Sequence, residues 1–99
     1  MSQEDSLKRL DLLIRAMSQS KQSAIQGMSA EDVSDLRSGI DEDDKAKVID
    51  LLDDLAVLLR DDPDNKRMIR TQVNKITDGY GHIKPISDAI NSVEAGFLT

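Results

Sequence analysis

Apolar residues recur every three or four positions along most of the chain, which is the spacing of one face of an α-helix. The first stripe, which Leu13 widens, consists of Leu7, Leu10, Ile14 and Met17. It predicts an amphipathic helix over residues 3–17. Apolar residues 24, 25 and 28 keep the same phase, so we expect one long helix that ends near Gln26 with Gly27 as its cap. A break near residues 18–20 is the alternative.

Two further helices are predicted from their starting residues. Ser29 has an acid three residues later, which is the pattern of a capping box. A short helix would follow, with one apolar face formed by Val33, Leu36 and Ile40, and would end at Gly39. Asp41 is placed to cap a third helix that runs to about Arg60.

The third helix has the widest apolar surface, about half of its circumference. The residues that form it are Val48, Ile49, Leu51, Leu52, Leu55, Ala56, Leu58 and Leu59. This width predicts that the third helix is central and has neighbours on two sides.

The last third of the chain predicts two more helices. Asp62 and Pro63 indicate the N-cap and first residue of the fourth helix, and Asp78 with Gly79 indicates its end. Its buried stripe would be Ile69, Val73 and Ile76, with Met68 beside it. A fifth helix, with Pro85 in its first turn, would bury Ile83, Ile86, Ile90, Val93 and Phe97.

No segment alternates between apolar and polar residues with a period of two, so no sheet is expected. Five helices joined by short loops predict an all-α fold, a small antiparallel bundle of four to five helices. With 99 residues, we expect a single domain over residues 1–99.

Composition narrows the classes of function. The chain has no Cys, one Tyr, one Phe and no Trp, which argues against disulfides, thiolate metal sites and the stacking of bases. Its charged N-terminal residues and the lack of a long apolar run favour a cytoplasmic location. The net charge of −6 opposes direct contact with nucleic acid or anionic membranes.

The sequence predicts no catalytic, cofactor-binding or metal-binding residues. His82 is the only histidine, and no nucleophile stands at a characteristic spacing from it. Calcium-binding loops that start at Asp41 or Asp62 lack the required ligands and glycine. The tripeptide Asp5–Leu7 matches the sequence around the phosphopantetheine serine of acyl carrier domains, but those have a full helix before it. We therefore interpret Ser6 as an ordinary residue of the first helical turn.

The acidic residues are concentrated in one region. Residues 31–64 contain 13 of the 19 acids and 4 of the 13 bases. Those at residues 41–44, 62 and 64 are explained by helix starts, where a carboxylate opposes the positive end of the helix dipole. Asp50, Asp53 and Asp54 have no such explanation, and Asp50 and Asp54 have the repulsive spacing of four residues.

These three residues share the polar face of the third helix with other members. We name as the acidic face Asp43, Asp50, Asp53, Asp54, Val57 and Asp61. The first interpretation is that it is a solvated surface, or that it pairs with Lys66, Arg67, Arg70 or Lys75 of the next helix. The second is that it presents carboxylates to a basic protein partner, with Val57 as a central apolar contact.

Two further features are candidates for binding. Tyr80 and His82 lie in a glycine-containing loop that could place two adaptable side chains. Alternatively, Gly79 ends a helix, Tyr80 covers the end of the core and His82 is exposed. The stripe of the first helix also fits heptad positions a and d, so a homo-oligomer is a second possibility, and Leu12 lies off this stripe as a candidate exposed residue.

The expected function is therefore binding without catalysis. We expect a small regulatory or inhibitory factor of bacterial or phage type, whose acidic face meets a basic surface on a protein that itself can bind nucleic acid. The alternative is a structural or assembly subunit that self-associates through its first helix.

Overall fold

The computed structural model describes residues 3–18 and 29–98, and over these residues it contains helices and no strands. The five helices are α1 (Gln3–Ser18), α2 (Ala30–Gly39), α3 (Glu42–Asp61), α4 (Lys66–Tyr80) and α5 (Lys84–Phe97). This confirms the all-α class. The predicted extension of the first helix to Gln26 and its cap at Gly27 lie outside the described residues. None of the helices in the described ranges has the length and apolar character needed to cross a membrane.

Four helices form a closed ring of contacts. α1 packs against α3 and α5, and α4 packs against the same two helices, whereas α2 lies outside the ring and packs mainly against α5. Side chains from all four ring helices meet in one continuous core, whose largest fully buried members are Leu10, Leu13, Leu52, Leu55, Leu59, Ile69, Ile76 and Ile86. The ring therefore supplies most of the buried apolar surface that stabilises the chain.

The most enclosed helix is α5, which corrects the prediction that α3 is central. α3 has the predicted neighbours on two sides, α1 and α4, but α5 contacts α1, α4 and α2. The predicted stripe of α5 is buried, and so are Ala89 and Ser92. These small side chains let neighbouring helices approach on sides of α5 that an apolar stripe alone does not reveal.

Ser6 is a fully buried residue, in contrast to the prediction that it is an ordinary first-turn residue. Its side chain faces α5, where the hydroxyl donates a hydrogen bond of 2.7 Å to the Ser92 carbonyl oxygen and lies 3.1 Å from the Ser92 Oγ. Because Ser92 satisfies the hydrogen bonding of this hydroxyl, Ser6 can be buried in the first turn of α1. Its 0% exposure is incompatible with a role as an attachment site.

The starts of α2 and α3 are where the sequence predicted them. The Ser29 Oγ accepts a hydrogen bond from the Asp32 N–H at 3.1 Å, so Ser29 is the N-cap of α2. Asp41 is the N-cap residue of α3, but its side chain makes no capping hydrogen bond. Its carbonyl oxygen instead accepts from Asp44 N–H and Lys45 N–H, both at 3.0 Å.

The predicted start of α4 at Asp62 and Pro63 is wrong. The Asp62 N–H still donates to the Leu58 carbonyl at 2.9 Å, so Asp62 ends α3. The chain then turns, and the Asn65 side chain becomes the N-cap by accepting from the Met68 N–H at 3.3 Å. The Asn65 Nδ2 also donates to the Asp62 carboxylate at 3.1 Å. Asp62 and Asp64 therefore do not cap α4.

The predicted end of α4 at Asp78 and Gly79 is also wrong. The helix continues to Tyr80, and Gly81 is its C-cap, with its N–H donating to the Thr77 carbonyl at 2.9 Å. A Cβ on Gly81 would lie 2.6 Å from that carbonyl oxygen, whereas a Cβ on Gly79 would meet nothing within 4 Å. Close approach to Thr77 therefore explains the glycine at position 81.

Candidate functional site

α3 positions the acidic face by the way it buries its opposite side. Its buried residues, which follow helical spacing toward the core, are Val48, Leu52, Leu55, Ala56 and Leu59. Because Asp43, Asp50, Asp54 and Asp61 lie on the other side of the same helix, all four are exposed. Asp53 is exposed beside them. With a rise of about 1.5 Å per residue, the carboxylates from Asp43 to Asp61 extend over roughly 27 Å.

The acidic face does not pair with the basic residues of α4. Among the described residues, one ion pair joins Lys8 to Glu4 within α1, and another joins Arg60 to Asp11. None joins the acidic face to the four bases proposed for this role: Lys66, Arg67, Arg70 and Lys75. Intrachain pairing, one of the two simpler interpretations, is therefore contradicted, whereas a solvated surface and a protein-binding surface both fit this geometry.

The contact between α3 and α4 uses other groups. The Gln72 Nε2 of α4 donates a hydrogen bond of 3.0 Å to the Leu51 carbonyl of α3, and Ile69 and Val73 of α4 are buried. Leu51 and Leu58 are half-buried on the flank of α3. The contact between α3 and α4 is therefore apolar and amide-based, without an ion pair to the acidic face among the described residues.

Arg60, the arginine in the last turn of α3, is held by α1. Its guanidinium donates to both oxygens of the Asp11 carboxylate, at 2.6 Å and 2.5 Å. Arg60 and Asp11 remain half-exposed, so this pair adds little to stability. It does fix the direction of the guanidinium, toward α1. Because Arg60 points toward α1, Lys47 is the basic residue that lies among the carboxylates of the acidic face.

The acidic face also contains an exposed apolar side chain. Val57 is 53% exposed, and Met68 of α4 is 54% exposed. They are the two large apolar side chains that stand out as exposed in the described part of the chain. A single exposed apolar residue is common on protein surfaces, but Val57 lies three residues from Asp54 and four from Asp61. It would add apolar contact to an otherwise electrostatic surface.

Tyr80 and His82, the second pair of candidate residues, differ in their exposure. Tyr80 is half-buried and packs against the edge of the core, which confirms the simpler interpretation that it covers the core's end. Burial, and to a smaller extent the Asp44 carboxylate, raises the pKa of Tyr80 above its ordinary value of 10.0. His82 is exposed. The structure thus gives Tyr80 a packing role.

The stripe of α1 proposed for self-association is largely used inside the chain. Leu10 and Met17 are buried in the core, whereas Leu7 and Ile14 are half-buried and pack against its edge. The centre of the buried face is shifted toward Ser6 and Leu13. Leu12, expected to be exposed, is half-buried. These contacts favour α1 as an internal element.

No group of three or more His, Cys, Asp or Glu side chains in the described ranges is arranged to hold a metal ion. The carboxylates of the acidic face are spread along a helix, so they converge on no common point. Comparisons with protein-family models, curated proteins and solved structures found no match.

Proposed function

We propose that this protein is a non-catalytic regulatory or inhibitory factor that binds another protein through the acidic face. The observation that supports this proposal best is that Asp50, Asp53 and Asp54 are exposed and unpaired with α4. These aspartates repel one another and oppose no helix dipole, so folding gains nothing from them. Binding to a protein partner would explain why the chain has these three aspartates.

A basic partner surface is the complement of such a face. Opposite charges accelerate the diffusional encounter of two proteins and select the orientation in which they meet. Val57 would then lie near the centre of the contact, where apolar area excluded from water adds affinity. The carboxylates would contribute to the rate and specificity of binding, and Val57 to its strength.

The proposed partner is a protein whose basic surface can itself bind nucleic acid. A row of carboxylates over roughly 27 Å resembles a line of phosphates in charge, so the factor would occupy the nucleic-acid groove and block it. This protein would contact neither nucleic acid nor membrane directly and would need no cofactor. Its proposed setting is the cytoplasm of a bacterium, or of one infected by a phage.

The proposal includes an antiparallel course of neighbouring helices. α3 and α4 pack against each other and are connected by residues 62–65 alone. A connection this short between packed helices is typical of antiparallel neighbours. The acidic face would then have a flat, uninterrupted surface on the outer side of α3.

The test is a pull-down that compares two variants with equal loss of charge. In the first, Asp50, Asp53 and Asp54 are replaced by Asn. In the matched control, Glu31→Gln, Asp78→Asn and Asp88→Asn remove three exposed charges outside the acidic face. We expect the first variant to lose partners that the wild type and the control retain, with the larger difference at low salt, where charges are less screened.

The captured proteins are identified by mass spectrometry, and their affinity is measured with purified material. Partners with basic, nucleic-acid-binding surfaces, displaced by added DNA or RNA, would support the proposal. An unchanged set of partners for the first variant, with helicity equal to the wild type by circular dichroism, would contradict it. Val57→Ser should weaken binding to a purified partner at all salt concentrations, since its contribution is apolar.

A further inference from the structure

α2 is the helix that is attached most loosely among the described elements. It lies outside the ring formed by α1, α3, α4 and α5, and its main contact is with α5. The contact is close at one point, because a Cβ on Gly39 would lie 3.1 Å from the Ile83 Cγ1. α2 is therefore fastened to the ring near its C-terminal end.

Two clefts separate the rest of α2 from α1. One, of about 180 Å³, lies between α1, α2 and α3 and is lined by residues that include Met17, Leu36 and Ile40. The other, of about 300 Å³, lies between α1, α2 and α5 and is lined in part by Arg9 and Asp32. Side chains that border a gap lack partner atoms from the described residues on that side, so they contribute less dispersion energy to this contact than packed ones.

α2 also contributes little apolar surface to the fold. It buries Val33 and Leu36, and of these Leu36 belongs to the continuous core, whereas Val33 lies outside it. α3, by comparison, places all five of its buried residues in that core. Because burial of apolar area is the main stabilising contribution, the free energy that holds α2 in place is small.

The start of α2 contains an unsatisfied polar atom. Ser29 caps the helix, but the reciprocal bond of the capping box is missing, and the Asp32 Oδ1 is buried with no hydrogen-bond partner in the described structure. A buried acceptor without a donor loses its hydration and gains nothing in return. Opening of α2 would return water to this oxygen, so the docked position is further weakened.

We propose that α2 detaches from the ring as a unit and unfolds as it does so, while α1, α3, α4 and α5 stay folded. α2 has 10 residues, and isolated helices of this length are marginal in water. Undocking and loss of helix are therefore one event. The protein has a low-energy open state that differs from the closed state in α2 and in the exposure of Met17 and Ile83.

Native-state hydrogen exchange of the whole chain tests this proposal. The amides of residues 34–38, inside α2, should exchange at least about 30-fold faster than those of residues 52–59 in α3, after correction for intrinsic rates, as expected for a sub-global opening. Their exchange should also depend little on low concentrations of denaturant, because a small opening exposes little surface. Equal protection and equal denaturant dependence in α2 and α3 would overturn the proposal.

A pair of variants provides a second test. Leu36→Ala should lower the protection of α2 about tenfold or more, and that of α3 and α4 by no more than this, because global unfolding includes the opening of α2. Ile76→Ala, which removes a buried side chain from α4 in the ring, should lower the protection of α3 and α4 and leave exchange in α2 nearly as it was. A loss of protection in α2 as large as that in α3 and α4 in Ile76→Ala would show that α2 and the ring open together, which would contradict the proposal.

Discussion

The Ser6 hydroxyl on α1 donates a hydrogen bond of 2.7 Å to the Ser92 carbonyl oxygen on α5. Both residues are buried, and they join the two helices through a polar contact within the core. We expect Ser6→Ala to lower the free energy of unfolding by about 1 kcal/mol or more, since the buried hydrogen bonding of Ser6 to Ser92 is lost. Urea denaturation measures this change.

A larger side chain at the same position should have a larger effect. Ser6→Val adds volume where Ser92 is already in contact, and overpacking typically costs about 1–3 kcal/mol. Ser34→Ala serves as the control, because Ser34 is exposed and surface changes are usually within about 0.5 kcal/mol. Equal stability of Ser6→Val and the wild type would show that Ser6 is not enclosed as described.

Gly79 and Gly81, two residues apart, should respond oppositely to alanine. Gly79→Ala fits open space within α4 and should stabilise the protein by about 0.5–1 kcal/mol, because alanine favours the helix and restricts the unfolded chain. Gly81→Ala should destabilise it by about 1 kcal/mol or more, since its Cβ would meet the Thr77 carbonyl at 2.6 Å. Thermal unfolding of both variants compares them directly.

Tyr80 should make the stability depend on pH in the alkaline range. Its pKa in the folded protein is raised above 10.0, first by burial and then by Asp44. Well below pH 10 the phenol is neutral in both states and contributes no pH dependence. Above pH 10 the unfolded chain loses its proton first, so the free energy of unfolding falls as pH rises toward the folded pKa.

Tyr80→Phe isolates this effect from the titration of lysines. The variant should lose less stability than the wild type as the pH rises above 10. Urea midpoints over that range, with Lys84 and the other lysines common to both proteins, supply the comparison. Parallel curves for the two proteins would contradict the predicted rise in pKa.

Asp54→Asn should increase the stability of the folded chain. Asp50 and Asp54 are exposed and four residues apart on α3, a spacing at which like charges destabilise a helix by about 0.2–0.5 kcal/mol. The gain should shrink in 1 M salt because screening already reduces the repulsion. If Asp54→Asn is instead destabilising at low salt, the carboxylate has a structural partner.

The helix pattern could be predicted well wherever apolar spacing was regular. The wide stripe of α3 correctly predicted five buried residues and the exposed side that contains Asp50 and Asp54. The stripe of α5 was equally informative. These predictions succeed because burial of one helical face follows directly from its sequence period.

The ends of helices, where two nearby residues can each serve as the cap, were predicted less well. Asp62–Pro63 and Asn65 both resemble a helix start, and the choice between them depends on whether α3 continues to Asp62. The Asp62 N–H bond to the Leu58 carbonyl shows that α3 does extend to Asp62. Gly79 and Gly81 present the same ambiguity at the end of α4, which contact with Thr77 resolves in favour of Gly81.

Features that depend on tertiary contacts had no signal in the sequence. The burial of Ser6 requires knowledge that α1 packs against α5, and the pairing of Arg60 with Asp11 requires that α1 lies beside α3. The absence of ion pairs between the acidic face and α4 likewise depends on how α4 is rotated. The acidic composition of the candidate site was evident, whereas its availability to a partner was not.

The contact of α1 with α5 has a consequence for biosynthesis. Ser6 and Ser92 are 86 residues apart, so α1 meets α5 only after the ribosome has synthesised the residues between them. Until then Leu10 and Leu13 lack one side of their packing, and contacts this distant in sequence form slowly. Over that interval the apolar face of α1 is exposed to aggregation, a hazard that a chaperone would reduce.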